Sequence, residues 1–328
     1  MTSRRHFTQQ FAALGGLAAL GLPLGARAQS QLATAKILCG FPAGGTSDAF
    51  SRRVGQKLTG YANTVIVENK PGAGGQIAVT TPKDSPADGS VMLLTPASML
   101  TIYSSTYSKL PYKLDDVAPV SMGCYFAHAL CVGPAVPESV KNVKDFLAWC
   151  KANPDKANYG SPAAGSMPHL LAALLAKQTG TDLKHVPYRG SAPGMQDLIG
   201  GQISSMSSPV GDALQHLKGG KARAIAVSGT QRNPFIPDVP TYREQGYPSL
   251  TMREWYAFFM PAKTDPAIIR RANAAFQPAL ADKEVINSMN LLGMEPQHST
   301  PEQLAATLKA DADEWRKVVK EIGFSADT

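Results

Sequence analysis

Short, continuous apolar runs alternate with stretches of helical periodicity along most of the chain. The runs that predict buried strands occupy residues 36–41, 65–67, 91–94, 129–132, 158–160 and 224–227. Between them, apolar residues recur with the spacing of a helix that buries one face; Phe50, Val54 and Leu58 are the first such set. This alternation of strand and helix predicts an α/β fold with largely parallel sheets.

The same periodicity predicts two more helices, one after Pro168 and one near the end of the chain. The latter has a defined start, because Thr300 can cap it, Pro301 suits the first helical position and Gln303 completes a capping box. The apolar faces of the two helices are formed by Leu170, Leu171, Leu174 and Leu175, and by Leu304, Leu308, Trp315 and Ile322.

The length of 328 residues corresponds to about two domains at roughly 150 residues each. No internal repeat or low-complexity linker divides the chain, so we expect two lobes joined by more than one crossing. With 44% apolar and 17% charged residues, the composition is that of a globular protein and excludes a disordered or collagen-like chain.

The first residues predict an export signal. Arg4 and Arg5 precede an apolar stretch at 11–24, and small residues lead up to Ala28. The paired arginines favour the twin-arginine class, with an ordinary secretory signal as the alternative. We therefore expect cleavage near Ala28 and a free periplasmic protein beginning near Gln29, because no later stretch reaches the ~18 apolar residues of a membrane span.

The charge pattern argues against nucleic acid as a partner. The formal charge of +7 comes from 32 basic and 25 acidic residues, and Arg4, Arg5 and Arg27 fall within the predicted signal. The remainder has no basic run and no interleaving of aromatic and basic residues. Its mildly positive balance is compatible with an anionic small ligand.

Four cysteines occur in a compartment that permits disulfides, but none forms a C-x-x-C pair. Cys39 and Cys131 lie within apolar runs, which favours small buried side chains over bridges. The pairing of these two residues with each other, or with Cys124 and Cys150, stays open.

The segment 41–48, F-P-A-G-G-T-S-D, follows a predicted strand and opens a predicted helix, and we call it the first loop. Its glycines let the backbone approach a ligand, and the first turn of the helix offers N–H groups to a carboxylate or phosphate. Thr46 or Ser47 would cap the helix or offer a hydroxyl group. A plain strand-to-helix turn with a polar cap explains the same residues, so both interpretations remain.

Two further loops repeat this arrangement. In the second loop, residues 159–169, Pro168 suits a helix start and Ser166 or Met167 stands at the cap position. In the third loop, residues 186–193, Ser191 is the expected cap. Three such loops spread over two lobes indicate an anion-binding cleft.

The sequence offers little for catalysis or metal binding. It contains no G-x-S-x-G elbow and no Walker-type loop, and its histidines lack metal-ligand spacing. Ser166 with His169 is the one conceivable nucleophile and base, without a visible orienting acid. We therefore expect no catalytic residue, no metal and no cofactor.

Three further side chains are candidates for the site. His169 would donate to an anion or lie at the surface, and Tyr188 would line the cleft with its ring. Trp255 would pack at a lobe boundary or form an aromatic wall of the site.

Taken together, the motifs resemble the Bug family, the TctC-like substrate-binding proteins of tripartite tricarboxylate transporters. The similarity runs from about Lys36 to Gly323 through the first loop, E-N-K-P-G-A-G-G at 68–75, V-P-Y-R-G-S-A-P at 186–193 and P-D-V-P-T at 237–241. It implies a two-lobed periplasmic binding protein of type II with a cleft between the lobes. Residues 29–128 and 255–328 would form the first lobe, and residues 129–254 the second.

The resemblance also implies that loop amides and bridging waters hold a ligand carboxylate. The predicted ligand-binding residues of the first lobe are Phe41, Gly44, Gly45, Thr46, Ser47, Ser98 and Trp255. Those of the second lobe are Ser161, Ala164, Gly165, Ser166, His169, Tyr188, Ser207 and Ser208.

The chain departs from the family pattern at Ser207 and Ser208, where many relatives carry Phe-Asp. An acidic side chain is then missing from a segment that faces the cleft. This favours a di- or aromatic carboxylate over an amino acid, whose ammonium group would need the acid. The altered second loop, Ser161 to Gly165, leaves its donor groups open.

The expected function is capture of a small carboxylate for membrane permease subunits of a tripartite tricarboxylate transporter. A monomer suffices for that role. A receptor that signals to a membrane kinase, or a periplasmic hydrolase on the same fold, remains as an alternative.

Overall fold

The computed structural model describes residues 31–326, which fold around two β-sheets flanked by helices. The predicted export signal, residues 1–28, lies outside the described residues. The strands are β1 (Leu32–Cys39), β2 (Ala62–Asn69), β3 (Val91–Pro96), β4 (Val117–Phe126), β5 (His128–Val132), β6 (Asn158–Ser161), β7 (Lys184–Pro187), β8 (Ser205–Pro209), β9 (Arg223–Val227), β10 (Glu254–Pro261) and β11 (Met294–Pro296). The helices are α1 (Thr46–Lys57), α2 (Gln76–Thr80), α3 (Ala97–Thr101), α4 (Tyr103–Thr106), α5 (Val143–Ala152), α6 (Met167–Thr179), α7 (Ser191–Ile199), α8 (Val210–Lys218), α9 (Pro266–Ala281), α10 (Lys283–Asn290) and α11 (Pro301–Ile322).

Each sheet mixes parallel and antiparallel strands. The first sheet has the order β11-β4-β10-β3-β1-β2, and the second has the order β7-β6-β8-β5-β9. Strand β1 runs parallel to β2 and β3, and β6 runs parallel to β7 and β8. Every pairing that involves β4, β5 or β10 is antiparallel. The expectation of largely parallel sheets is therefore wrong.

The physical reason lies in how the chain passes between the sheets. Strand β4 leads from the first sheet into β5 of the second, and β10 leads back to lie antiparallel beside β4. A run of apolar residues predicts a strand but carries no information on its direction. Strand β5 begins at His128 and β10 at Glu254, and the predicted lobe boundaries near these residues stay a prediction.

Each sheet, with its flanking helices, forms one lobe around a core of its own. Phe50 and Phe276 lie in the core of the first lobe, and Leu171 lies in that of the second. Helix α11 contributes to both halves, because Leu308 packs beside the first sheet whereas Trp315 lies in the second core. The predicted assignment of all residues 255–328 to one lobe stays a prediction.

The starts of the helices agree in part with the predicted caps. Thr300 and Gln303 form the expected capping box of α11, with each side chain hydrogen-bonded to the other's backbone N–H. Ser166 is the cap residue of α6, as one of the two alternatives required.

The expected side-chain caps of α1 and α7 are wrong. Gly45 stands at the cap position of α1, and Gly190 at that of α7. Thr46 lies inside α1, where its hydroxyl group is 2.9 Å from the Tyr256 hydroxyl instead. The backbone at a glycine cap needs no side chain to reach its conformation, so both helices begin one residue earlier in the loop than a hydroxyl cap requires.

All four cysteines are buried and unbridged in the described part of the chain. Burial raises the pKa of Cys131 and of Cys150 to about 12, so both remain thiols at neutral pH. Across residues 31–326, no helix has the length and apolar character needed to cross a membrane.

Candidate functional site

A cavity lies between the two lobes, and its walls come from both. Its empty space is about 540 Å³ including the open mouth, a size that suits a small molecule. From the first lobe it is lined by Phe41, Pro42, Gly45, Thr46, Ser47, Pro96, Ser98, Met99, Phe126, Glu254 and Tyr256. From the second it is lined by His128, Pro162, Ala163, Ser166, Pro168, Gly190, Ser191, Ala192, Pro209 and Asp212.

The first loop connects β1 to α1 and is held from behind by Asp48. The Asp48 carboxylate accepts hydrogen bonds from the Gly44 amide, Arg52 and Asn69. Burial alone would favour the neutral acid, but these hydrogen bonds hold the pKa of Asp48 below its usual value. At neutral pH an ionised Asp48 therefore holds the loop in which Gly45 and Ser47 line the cavity.

The second loop connects β6 to α6 and is fixed by contacts from both lobes. Gly165 has a φ of 73°, in the left-handed region that favours glycine. The Gly165 amide donates to His169 Nδ1 at 2.9 Å, and Tyr107 donates to the Ala164 carbonyl. The Met167 amide, at the start of α6, donates to Ser98 Oγ of the other lobe at 3.0 Å.

The predicted site residues divide into two groups. Those that line the cavity are Phe41, Gly45, Thr46, Ser47, Ser98 and Ser166. Those outside its lining are Gly44, Ser161, Ala164, Gly165, His169, Tyr188, Ser207, Ser208 and Trp255. Ligand contact by any of them stays a prediction, and most of the second group take part in other contacts.

His169 shapes the second loop from behind. Its ring stacks on His185 with 3.6 Å between centroids, and its Nδ1 accepts from Gly165. Burial lowers the pKa of His169 to about 3, helped by the charge of His185, and burial lowers the pKa of His185 to about 4. Both rings are therefore neutral at physiological pH, and Ser161 Oγ lies 2.8 Å from His185 Nε2.

The conceivable nucleophile and base are not arranged as a pair. Ser166 Oγ donates to the Ala163 carbonyl at 2.6 Å, whereas the Nδ1 atom of His169 accepts from Gly165. A general base must lie within hydrogen-bond reach of the proton it removes. In the second loop, the side chains of Ser166 and His169 therefore hold the backbone of the loop in place.

The remaining predicted side chains outside the lining are also engaged or buried. The Tyr188 hydroxyl donates to Asp197, and Trp255 Nε1 donates to Asp311 at 2.6 Å. Ser207 and Ser208 are buried within β8.

A network without a sequence signal is centred on Glu254, at the start of β10. Glu254 Oε1 accepts from both the amide and the hydroxyl group of Ser98, and Oε2 lies 2.9 Å from His128 Nε2. Glu254 and His128 are 3% and 1% exposed. Because Ser98 also accepts from Met167, this network joins the lobes at the wall of the cavity. Its members are dispersed in sequence, so no local motif signals them.

A second missed residue, Asp212, brings an acidic side chain to the cavity from outside the Ser207–Ser208 segment. It lies in the first turn of α8, four positions after Ser208, and lines the cavity. Its Oδ1 atom accepts from the Thr46 amide across the cleft at 2.9 Å. Burial raises the pKa of Asp212, against the hydrogen bonds of Ser191 and Thr46. The strand-to-helix junction β8–α8 was the sequence signal that could have found it.

Comparisons with known proteins agree with this architecture. The model of the tripartite tricarboxylate transporter family receptor matches residues 51–324. Protein BugT of Bordetella pertussis is 34% identical over 286 residues, which cover 86% of this chain and 87% of BugT. The structure of the periplasmic binding protein BugD superposes with a TM-score of 0.83 at 29% identity, over 89% of this chain and 98% of BugD. An R. palustris protein with adipate superposes with a TM-score of 0.84 at 26% identity, with the same shares covered.

Proposed function

The chain belongs to the tripartite tricarboxylate transporter receptor family of solute-binding proteins, and on that premise we propose that it captures a small carboxylate for uptake by such a transporter. The ligand site is the cavity between the lobes. Membrane permease subunits of the transporter are the proposed partners. The similar R. palustris protein with adipate supports a carboxylate as the ligand.

One observation carries the proposal: two long helices, α1 and α6, start at the same cavity from opposite lobes. The N-terminus of a helix carries partial positive charge and amide donors, which suits an anion. No Lys or Arg stands among the described residues that line the cavity. The ligand carboxylate is therefore held by backbone amides and hydroxyl groups around Gly45, Ser47 and Ser166.

The proposal includes export to the periplasm, with cleavage near Ala28 after a twin-arginine signal. Periplasmic location agrees with the family. Mass spectrometry of the protein recovered from the periplasm reads the cleavage site directly. Retention of residues 1–28 in that fraction would contradict it.

The preference for a di- or aromatic carboxylate stays a proposal. It was predicted because Ser207 and Ser208 replace an acidic side chain, yet Asp212 brings a carboxyl group to the same cavity. Binding measurements with several classes of carboxylate are therefore needed to identify the ligand class.

The test is thermal unfolding of residues 29–328 with mono-, di-, tri- and aromatic carboxylates, amino acids, and inorganic phosphate as the non-carboxylate control. A ligand at about 100 times its Kd stabilises the protein by about 2.7 kcal/mol, which raises Tm by several degrees. We expect a shift with one class of carboxylate and recovery of that ligand unchanged. A shift with phosphate alone, or conversion of the ligand to a product, would contradict the proposal.

A further inference from the structure

A short segment that does not line the cavity contacts the second loop from behind. Residues 323–326 follow α11, and we call them the post-α11 segment. None of them is among the described residues that line the cavity. Gly323 ends α11 with a left-handed φ of 66°, so the segment leaves the helix in a defined direction.

Phe324 of this segment reaches the second loop through His169. The two rings meet edge to face, with 4.7 Å between their centroids. Phe324 is half-buried and packs against the core of the second lobe. His169 in turn stacks on His185 and accepts a hydrogen bond from the Gly165 amide. Phe324 therefore forms the outer member of an aromatic stack that holds the backbone of the second loop.

Ala326 ties the same segment to α4, which follows β3 of the first sheet. The Ala326 amide donates to the Thr106 carbonyl at 2.7 Å. A Cβ atom on Gly165 would lie 2.9 Å from Thr106 Oγ1 and 3.2 Å from the Ala326 Cβ atom. Gly165 is therefore held closely between α4 and the post-α11 segment.

The neighbours of Gly165 in the second loop line the cavity. They include Ala163 and Ser166, whose side-chain oxygen donates to the Ala163 carbonyl. Helix α6, whose start is part of the proposed anion site, begins directly after Ser166. A displacement of Gly165 would therefore move the groups proposed to bind the ligand.

We propose that Phe324 is a positioning residue for the ligand site, which acts through His169 to hold the second loop in its binding conformation. This inference rests on the proposed function. Phe324 is not expected to touch the ligand. Its effect is on affinity, because a loop that is already ordered loses less conformational entropy when the ligand binds.

A purely structural role for Phe324 makes a different prediction. If its ring only packs the end of α11 against the second core, truncation lowers stability and leaves the Kd unchanged. Affinity and the local order of the second loop therefore distinguish the two roles, whereas Tm does not.

The first experiment compares Phe324→Ala with Ile322→Ala in residues 29–328. Ile322 is the matched control, because it is also half-buried against the second core but offers no ring to His169. The probe is whichever of acetate, succinate, citrate, benzoate and glutamate raises Tm most. In calorimetric titration we expect Phe324→Ala to raise the Kd about tenfold, as the loss of one charge-assisted hydrogen bond implies, and Ile322→Ala to leave it unchanged.

Phe324→Leu guards against a general folding defect in the alanine variant. Leucine keeps most of the apolar volume beside His169, so we expect this variant to recover most of the affinity. A Kd as high as that of Phe324→Ala would show that apolar packing at this position does not hold the loop, which contradicts the proposal.

The second experiment needs no ligand. Hydrogen exchange followed by NMR reports on the Gly165 amide, which His169 accepts in the intact stack. We expect this amide to exchange about fivefold or more faster in Phe324→Ala than in Ile322→Ala, as the loss of one hydrogen bond implies.

The outcomes separate this inference from the proposed function. Equal Kd values, or equal exchange of the Gly165 amide, in Phe324→Ala and Ile322→Ala would overturn the positioning role and leave carboxylate capture standing. Failure of every carboxylate in the broad panel to bind the natural protein would overturn the proposed function. In that case the exchange experiment still decides whether Phe324 holds the second loop.

Discussion

At the scale of single residues, the polar side chains of the cleft fall into those that face the cavity and those that hold its loops. Asp48 and His169 lie in or beside the loops that the sequence marks as candidate ligand sites. Both side chains instead accept hydrogen bonds from loop amides, Asp48 from Gly44 and His169 from Gly165. Asp212 and His128 line the cavity, although no motif marked them. The type of a residue and its position in a loop predict that its side chain forms a polar contact. They do not predict whether the partner is the ligand or the protein backbone.

The stacked pair of His169 and His185 predicts acid sensitivity. Their pKa values are lowered to about 3 and about 4, whereas an unfolded histidine titrates near 6.5. Between these values the unfolded chain binds more protons than the folded one, so stability falls as pH falls below about 6.5. We expect the midpoint of urea unfolding to decrease from pH 7 to pH 5.

His169→Asn tests this at one residue, because the asparagine oxygen can replace Nδ1 as acceptor from Gly165 and does not titrate. The variant should lose less stability than the natural protein between pH 7 and pH 5, whatever its absolute stability at pH 7. Equal losses in the two proteins would show that His169 contributes nothing to the acid response.

At the scale of elements, the sequence predicted the strand-to-helix loops well and the sheets only in part. Strands β1 and β3 and the loop before α1 carry local signals, namely buried apolar runs, glycines and a helix start. Strands β4 and β10 were not predicted, and their antiparallel pairing depends on contacts between residues far apart in the chain. The same difference holds for the site. Its loops can be predicted from local sequence, whereas the contact of Glu254 with His128 depends on the two crossings between the sheets.

The left-handed conformation of Gly165 predicts that the second loop tolerates no side chain there. A Cβ atom at Gly165 would lie 2.9 Å from Thr106 Oγ1. Gly165→Ala should therefore displace the loop, destabilise the protein by more than ~1 kcal/mol and weaken carboxylate binding, as measured by unfolding and calorimetric titration.

Gly180→Ala is the control for backbone strain alone. Gly180 stands at the C-terminal end of α6, the helix that follows the second loop, and also has a left-handed φ, of 58°. A Cβ atom at Gly180 would meet nothing within 4 Å. This variant should cost about 1–2 kcal/mol of stability and leave the Kd unchanged. Loss of binding in both variants, or in neither, would contradict a specific role for the second loop.

At the scale of the whole molecule, the polar contacts that join the lobes include three at residues lining the cavity. Thr46 binds Asp212, Ser98 binds the start of α6, and Glu254 binds His128 across the crossings. Binding proteins of two lobes close when the ligand contacts the closed state more favourably than the open one. In this protein the residues that join the two lobes also line the cavity. A ligand in the cavity would therefore contact the same residues that hold the lobes together.

The most direct test of the account is a crystal structure of residues 29–328 with the tightest-binding carboxylate of the panel. We expect the ligand between the lobes, with carboxylate oxygens about 2.7–3.2 Å from donors of Gly45, Ser47 or Ser166. A ligand bound outside this cavity, or a carboxylate held by a Lys or Arg side chain, would contradict it.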